Sequence, residues 1–535
     1  MFSNLRLSIC ILCMAHCCLV FAQQEAWVYL TDKQNVAQSI SNPITILTQK
    51  AIDRKNAQGI AIDSRDVPVN ENYITQLKAQ TGIQVMAKSK WFNAVHVRGS
   101  EVDINALLAL SFVDSIDFAN DGLNSRPALV QDNFSIENTL VDFNYGDAQN
   151  QVEMLNLDCL HESDYTGEGI TIAVLDSGFT NVNTMSSFQR LRDNNDLLDG
   201  YDFVDRNADV YNFTGSNHGT KVLSTMAGYI ENQYVGTAPD ASYYLFRTED
   251  VSSENPVEES YWVEAAERAD SLGVDIINTS LGYTVYDNSA YDYSISEMDG
   301  NTTYITRGAN IAGEKGIIVV VSAGNSGAST WQIVEAPADA PNVLTVGAVD
   351  SSGDYASFSS QGSAIQPTQK PDVVAKGSAT AVIDENDTIV TNNGTSFSSP
   401  IIAGSIACLL QAQPFSTVDE ISQAVRMSSS QYEFPDYFLG YGIPDFCNAL
   451  TLLSVPEIDS QDIRIHPNPV SSTLNLNASE GSPILVSVTD TLGKRVVEDE
   501  TLYNNQLDVS QLKSGLYFLN IHSSESHKII KFIKN

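Results

Sequence analysis

Residues 393–410 read NGTSFSSPIIAGSIACLL, a small flexible approach followed by an apolar run. The run predicts a buried helix, whose N-terminus presents unpaired backbone N–H groups and a partial positive charge. Pro400 suits the first turn, where a missing N–H costs nothing. Ser396 would then lie beside donors that could stabilise a developing oxyanion. From this segment alone two interpretations stay open, a nucleophile and a simple helix N-cap.

The region around this stretch, from about residue 150 to 450, alternates apolar strands with helices. The predicted strands are 170–175, 274–278, 317–321 and 343–346, and the predicted helices are 220–229, 258–272 and 302–315. Near-continuous apolar strands that alternate with helices indicate an α/β fold with a doubly wound parallel sheet covered on both faces. Catalytic groups in such folds gather outside the carboxyl ends of the strands.

Three polar residues occupy positions that suit this edge of the sheet. Asp176 ends the strand 170–175, Asn325 follows the strand 317–321, and His218 lies in a loop that enters a helix. A lone histidine is usually structural, and His161 lacks a zinc-site partner four residues on. A serine hydroxyl needs an imidazole to take its proton, a carboxylate to orient that imidazole and a donor for the oxyanion. The set therefore suits nucleophilic catalysis by Ser396.

The chain order of these residues separates the known serine-hydrolase arrangements. The α/β-hydrolases run serine, acid, histidine and need G-x-S-x-G, which fails here because Ser398 replaces the last glycine. The chymotrypsin order begins with histidine. The order Asp176, His218, Ser396 is that of subtilisin.

Four segments, 176–178, 218–220, 323–325 and 394–400, resemble the signature segments of the subtilase family of serine endopeptidases. The resemblance implies a catalytic triad of Asp176, His218 and Ser396, with Asn325 as the oxyanion donor. It implies peptide-bond hydrolysis through an acyl-enzyme, with protein or peptide substrates and no cofactor required for the chemistry, although structural calcium is compatible with it. It also implies that two segments form the walls of the first specificity pocket: Ser280, Leu281, Gly282, Ser322, Ala323 and Gly324.

The flanking regions predict further domains. Residues 23–125 read as a small α+β domain that resembles the subtilase propeptide, with an unrelated N-terminal domain as the alternative, and residues 126–149 read as a linker. The catalytic domain is placed at 150–453, followed by a linker at 454–460. Residues 461–535 predict a small β-sandwich that resembles the C-terminal sorting domain of type IX secretion. That resemblance implies the type IX machinery as a partner and a route through the periplasm and outer membrane of a Gram-negative bacterium to the cell surface or the medium.

The start of the chain has the pattern of a secretion signal, residues 1–22. Arg6 precedes an apolar stretch, and the small residues Val20 and Ala22 precede the predicted cleavage at Gln23. One alternative is a membrane anchor, but the apolar run is short for a span and is interrupted by a histidine. The other is a lipid anchor on a cysteine, but the small residues that usually precede such a cysteine are missing.

Composition narrows the remaining possibilities. The formal charge of −37 argues against nucleic acid or an anionic membrane as a partner, and it fits a solvated acidic surface with a few carboxylates available for calcium. Outside the signal the cysteines are Cys159, Cys408 and Cys447, which allow either one bridge with a free thiol or three buried thiols.

Two segments depart from the family pattern, an acidic loop at 192–205 that reads as an insertion and an aromatic, acidic insert at 283–300. The second could shape specificity, hold calcium or form a surface excursion. Two rival functions also stay open. One is an inactive, subtilase-shaped adhesin or binding module, and the other is a lipase or esterase on a similar sheet.

Overall fold

The computed structural model describes residues 23–124, 143–414, 416–453, 464–477, 484–490, 494–502, 505–522 and 527–535. The chain divides into two compact units, residues 1–453 and 454–535. The predicted signal peptide 1–22, most of the predicted linker 126–149 and the whole linker 454–460 fall outside the described residues.

The first unit begins with an antiparallel sheet whose strand order is β2-β3-β1-β4. Its strands are β1 (Gln23–Leu30), β2 (Gln84–Ser89), β3 (Ala94–Ser100) and β4 (Val113–Phe118), and its helices are α1 (Val36–Ser41), α2 (Gln49–Ala57), α3 (Glu71–Lys78) and α4 (Glu101–Ala106). Alternate residues such as Ala26, Val28 and Val97 are fully buried in a separate core. This arrangement confirms the predicted small α+β domain.

A seven-stranded parallel sheet follows, in the order β13-β12-β11-β10-β5-β9-β6. Its strands are β5 (Thr171–Asp176), β6 (Leu197–Asp202), β9 (Ser242–Arg247), β10 (Ile276–Thr279), β11 (Ile318–Ser322), β12 (Leu344–Val349) and β13 (Val373–Lys376), and two short ribbons pair β7 (Tyr229–Ile230) with β8 (Tyr234–Val235) and β14 (Thr380–Ile383) with β15 (Ile389–Asn392). The central strands are buried throughout because helices cover both faces. The doubly wound sheet is therefore confirmed.

The helices of this region are α5 (Gln149–Glu153), α6 (Asp158–His161), α7 (Gln189–Asn194), α8 (His218–Ala227), α9 (Val257–Leu272), α10 (Tyr304–Glu314), α11 (Thr395–Ala412), α12 (Val418–Met427) and α13 (Phe446–Leu453). Helix α11 is buried from Thr395 to Leu410, because it runs through the main core and has no solvent-facing side. Among the described helices, α11 alone is long and apolar enough to cross a membrane, and 83% of that stretch is buried inside the protein.

The interpretation of one departing segment is wrong, and that of the other needs refinement. The predicted acidic loop 192–205 contains β6, an edge strand whose acidic Asp199 is exposed while Gly200 and Asp202 are buried. The insert 283–300 runs along the surface with half of its positions exposed, but its tyrosines Tyr283, Tyr286 and Tyr291 are buried against the fold. Tyr286 donates a hydrogen bond to Glu259 Oε1 at 2.7 Å, and Tyr291 donates to the Gln23 carbonyl at 3.3 Å. Buried tyrosines need such partners for their hydroxyl groups.

Cysteine pairing resolves to one bridge and one free thiol. A disulfide joins Cys159 of α6 to Cys447 of α13. Cys408 is free and buried on α11, where its thiol donates to the Thr237 carbonyl at 3.2 Å.

The second unit contains two small antiparallel sheets, in the orders β16-β17-β20 and β19-β18-β21-β22. The strands are β16 (Arg464–His466), β17 (Thr473–Asn477), β18 (Ile484–Asp490), β19 (Arg495–Leu502), β20 (Gln506–Asp508), β21 (Gly515–His522) and β22 (His527–Lys534). Its core includes Leu474, Val486, Leu519 and Phe532. The small β domain predicted for the end of the chain is thus confirmed.

Candidate active site

Asp176 and His218 meet at the carboxyl edge of the parallel sheet. Asp176 ends β5, and its Oδ1 accepts hydrogen bonds from His218 Nδ1 at 2.8 Å and from the Ser177 N–H at 2.7 Å. His218 begins α8 and is followed by Gly219, where a Cβ would lie 2.6 Å from the Gly178 carbonyl oxygen. Only glycine therefore lets α8 begin this close to the end of β5.

The buried charge of Asp176 raises the pKa of the His218 imidazole. The Asp176 side chain is fully buried, whereas a third of the His218 side chain is exposed. Burial lowers the pKa of His218, but the charge and hydrogen bond of Asp176 raise it, and the net pKa lies above its ordinary value. Asp176 Oδ2 is buried without a hydrogen-bond partner among the described residues. The Asp176 carboxylate therefore interacts with the imidazole through Oδ1 alone.

Ser396 is the second residue of α11 and is 8% exposed. The N-cap of that helix is Gly394, with φ +149°, and no side chain caps the helix. The N-cap interpretation of Ser396 is therefore wrong. The neighbouring Phe397 ring lies 5.9 Å from the His218 imidazole, centroid to centroid, so the start of α11 lies beside the Asp176–His218 pair.

Asn325 lies against the same helix start. Its Oδ1 accepts hydrogen bonds from the Thr395 N–H at 2.9 Å and from Thr395 Oγ1 at 3.2 Å. Because the amide oxygen is held by these donors, the Nδ2 group is directed away from them and keeps its own donor capacity. Asn325 thus presents a side-chain donor next to Thr395, the residue that precedes Ser396.

The two predicted wall segments follow neighbouring strands and bond to the same turn. Ser280, just after β10, donates from Oγ to the Ser396 carbonyl at 2.9 Å. Ser322 ends β11, and Gly324 two residues later accepts from Thr395 Oγ1 at 3.1 Å. Leu281, Gly282 and Ala323 continue these two segments.

Sequence reasoning missed several residues at this site. Asn278 on β10 accepts a hydrogen bond from Ser399 Oγ at 2.9 Å and so fixes the first turn of α11. Glu335 lies partly buried between Gly282 and Gly324. A single carboxylate within the otherwise apolar run 333–338 was the available signal for Glu335.

Glu249 lies close enough to the site to act on the charge of His218, and Glu254 and Glu258 are its own neighbours. Burial raises their pKa values to about 8, about 7 and about 9, respectively. At neutral pH much of this group therefore carries protons, which allows the carboxyls to lie together. Across the described part of the chain, no group of three or more histidine, cysteine, aspartate or glutamate side chains is arranged to hold a metal ion.

A buried aspartate paired with a histidine, next to a helix-start serine on a doubly wound parallel sheet, defines a subtilisin-like α/β protein. Comparison with known proteins identifies the family within this class. The sequence model of the subtilase family matches residues 167–442. The chain belongs to the subtilase family.

Two further family models match the flanking regions. The peptidase S8 propeptide domain of Bacteroidota matches residues 25–134, and the secretion system C-terminal sorting domain matches residues 464–535. The sorting domain indicates secretion across the bacterial outer membrane.

Similar proteins include subtilisin E of Bacillus subtilis (strain 168), 31% identical over 294 residues that cover 55% of this chain and 68% of that protein. The thermophilic serine proteinase of Bacillus sp. (strain AK1) is 32% identical over 262 residues, 48% of this chain and 57% of that protein. Among solved structures, MycP1 from the ESX-1 type VII secretion system has a TM-score of 0.45 and 22% identity, and the match covers 61% of this chain and 90% of that one.

Proposed function

We propose that this protein is a secreted serine endopeptidase that uses Asp176, His218 and Ser396 as a catalytic triad. The observation that carries the proposal is the 2.8 Å hydrogen bond between Asp176 and His218 at the strand edge that faces the start of α11. Membership of the subtilase family supports the same reaction. The reaction is hydrolysis of a peptide bond in two steps through an acyl-enzyme.

Each residue has a distinct part in this mechanism. His218 takes the proton of Ser396 Oγ as the oxygen attacks the scissile carbonyl, and it returns that proton to the leaving amine. Asp176 fixes the imidazole tautomer, since Nδ1–H is bonded to its Oδ1, and it stabilises the imidazolium. A water then attacks the acyl-enzyme with His218 again as the base. The raised pKa of His218 suits this repeated gain and loss of a proton.

A fluorophosphonate probe tests the proposal on the mature secreted protein. We expect covalent labelling, with peptide mapping that places the adduct on Ser396, and hydrolysis of casein rather than tributyrin. A protein that folds but takes up no probe would instead be the inactive binding module, and cleavage of tributyrin alone would indicate an esterase.

Asn325 supplies the oxyanion donor in this proposal. Asn325→Ala is expected to lower kcat about 10²–10³-fold with little change in KM, because one preorganised donor is lost. Asn325→Asp is the informative partner variant, since it keeps an oxygen for the Thr395 N–H but has no donor. Steady-state kinetics on a peptide substrate should show a comparable or larger loss for Asn325→Asp. Activity of both variants within a few-fold of wild type would remove Asn325 from the mechanism.

The propeptide domain contacts α9 through buried charges. Asp270 on α9 accepts from Lys55 Nζ at 2.8 Å and from Arg54 Nη2 at 2.5 Å, and all three side chains are almost wholly buried. Glu267, one turn earlier, accepts from the backbone N–H groups of Lys90 and Trp91 at 2.9 Å each. We propose that these contacts hold the propeptide on the enzyme before maturation.

Asp270→Asn is expected to loosen this contact by about 3–5 kcal/mol, because the buried Arg54 loses its counter-charge and the buried Lys55 keeps only Asp66, at 3.3 Å. In the full chain, amide hydrogen exchange across α2 should then rise about 10²-fold or more. A Ser396→Ala background prevents self-processing during the measurement. The control is Glu71→Gln, which breaks the exposed pair with Lys88 and should change exchange little. Unchanged exchange in Asp270→Asn would contradict the proposed anchoring role.

A further inference from the structure

Glu335 occupies the space between the two segments predicted to form the walls of the first specificity pocket. A Cβ at Gly282 would lie 2.5 Å from Glu335 Oε2, and a Cβ at Gly324 would lie 2.5 Å from the Glu335 carboxyl carbon. Real Cβ atoms do not approach this closely. The carboxylate therefore occupies the space that side chains at positions 282 and 324 would otherwise fill.

The backbone around Glu335 bridges these two walls. The Glu335 N–H donates to the Ala323 carbonyl at 3.3 Å, and the Tyr283 N–H donates to the Ala336 carbonyl at 2.9 Å. Each wall is also bonded to the turn that carries the nucleophile, through Ser280 on one side and Gly324 on the other. The carboxylate thus lies in the gap between two segments, both of which are bonded to the start of α11.

The charge of Glu335 lacks a basic partner. Ser326 Oγ donates to Oε1 at 2.7 Å. Burial raises the pKa of the carboxyl, and hydrogen bonds from Ser326 and the Asn325 backbone lower it, with a net rise. Among the described residues no lysine or arginine forms an ion pair with Glu335. A partly buried carboxylate in this position gains most from a cation that enters the gap.

We propose that Glu335 makes the enzyme selective for a basic residue, arginine or lysine, on the acyl side of the scissile bond. The proposal rests on the proposed function, since the side chain in the gap belongs to the residue whose carbonyl Ser396 attacks. An arginine or lysine head group would pair with Oε2, while Ser326 holds Oε1. A large apolar side chain would cover the carboxylate without pairing it, and buried polar groups left unpaired discriminate strongly against such substrates. The strongly acidic chain also favours the approach of cationic peptides.

Fluorogenic peptides that differ only in this one residue test the selectivity. The mature secreted enzyme is expected to cleave the arginine peptide with a kcat/KM at least about tenfold above that of the leucine peptide. Glu335→Gln keeps the size of the side chain and an acceptor for Ser326 but removes the charge. We expect it to lower kcat/KM for the arginine peptide at least about tenfold and to raise kcat/KM for the leucine peptide, because covering a neutral amide costs less than covering an unpaired carboxylate. The matched control is Glu231→Gln, an exposed glutamate outside the cleft, which should keep the wild-type ratio.

Probe labelling separates failure of this proposal from failure of the proposed function. Labelling of wild type and Glu335→Gln at equal rates, together with the expected loss on arginine, supports the role of Glu335. Normal labelling with leucine preferred over arginine in wild type, or with the same ratio in Glu335→Gln, overturns the selectivity proposal alone. No labelling of the wild-type protein overturns the proposed function and the selectivity with it.

Discussion

Ser396→Ala is expected to lower kcat about 10⁶-fold, the loss that removal of the nucleophile causes in subtilisin, while KM changes little. The substitution removes one oxygen at the second position of α11 and leaves the N-cap and the Asn325 contact in place. The fold should therefore survive, since no hydrogen bond of the helix start depends on Ser396 Oγ among the described residues. The measurements are probe labelling and peptide hydrolysis, with circular dichroism to verify folding.

Ser398→Ala is the matched control for this experiment. Ser398 is buried in the same helical turn, but its hydroxyl donates to the Thr395 carbonyl of its own helix at 3.1 Å. We expect this variant to keep labelling and most of the activity. Full activity in a folded Ser396→Ala protein would exclude Ser396 as the nucleophile.

Asp176→Asn is expected to lower kcat about 10⁴-fold. An amide can donate to His218 Nδ1 and thereby hold the wrong tautomer, and it cannot stabilise the imidazolium by charge. The remaining activity should also have a different pH profile. His218 acts as a base only when neutral, so activity falls as pH drops through its pKa. Because the Asp176 charge raises that pKa, its removal moves the acid limb to lower pH.

The profile is measured as kcat/KM against pH for wild type and variant. Asp209→Asn provides the control, since Asp209 is exposed and binds the Tyr211 and Asn212 backbone away from His218. It should leave both the rate and the acid limb unchanged. An acid limb that stays in place in Asp176→Asn would mean that Asp176 does not set the pKa of His218.

The parts of the fold that sequence patterns predicted are those with a strong local signal. β5 and β11 are continuous apolar runs, and the polar residues at their ends reach helix starts, Asp176 at His218 of α8 and Asn325 at Thr395 of α11. The sequence predicts a loop where the edge strand β6 lies, because an edge strand is packed on one side only and its apolar pattern is weak. The strands β9 and β13 were not predicted either, although both belong to the sheet.

Tertiary contacts account for what the sequence could not predict at the site. Glu335 is separated from Gly282 by more than fifty positions, and only the fold brings them together. The same holds for the insert 283–300, where Tyr286 and Tyr293 both donate to Glu259 on α9. Neither pairing has a spacing that a linear motif could reveal.

The Cys159–Cys447 bridge has a consequence for a protein that cuts peptide bonds. The bridge spans a sequence separation of 288 residues and joins α6 to α13. Asp176, His218, Asn325 and Ser396 all lie inside this covalent ring. A single nick by self-digestion anywhere within the ring leaves the two fragments attached, so the site can stay assembled after damage that would separate an unbridged chain. The periplasm on the secretion route is oxidising enough for such a bridge to form.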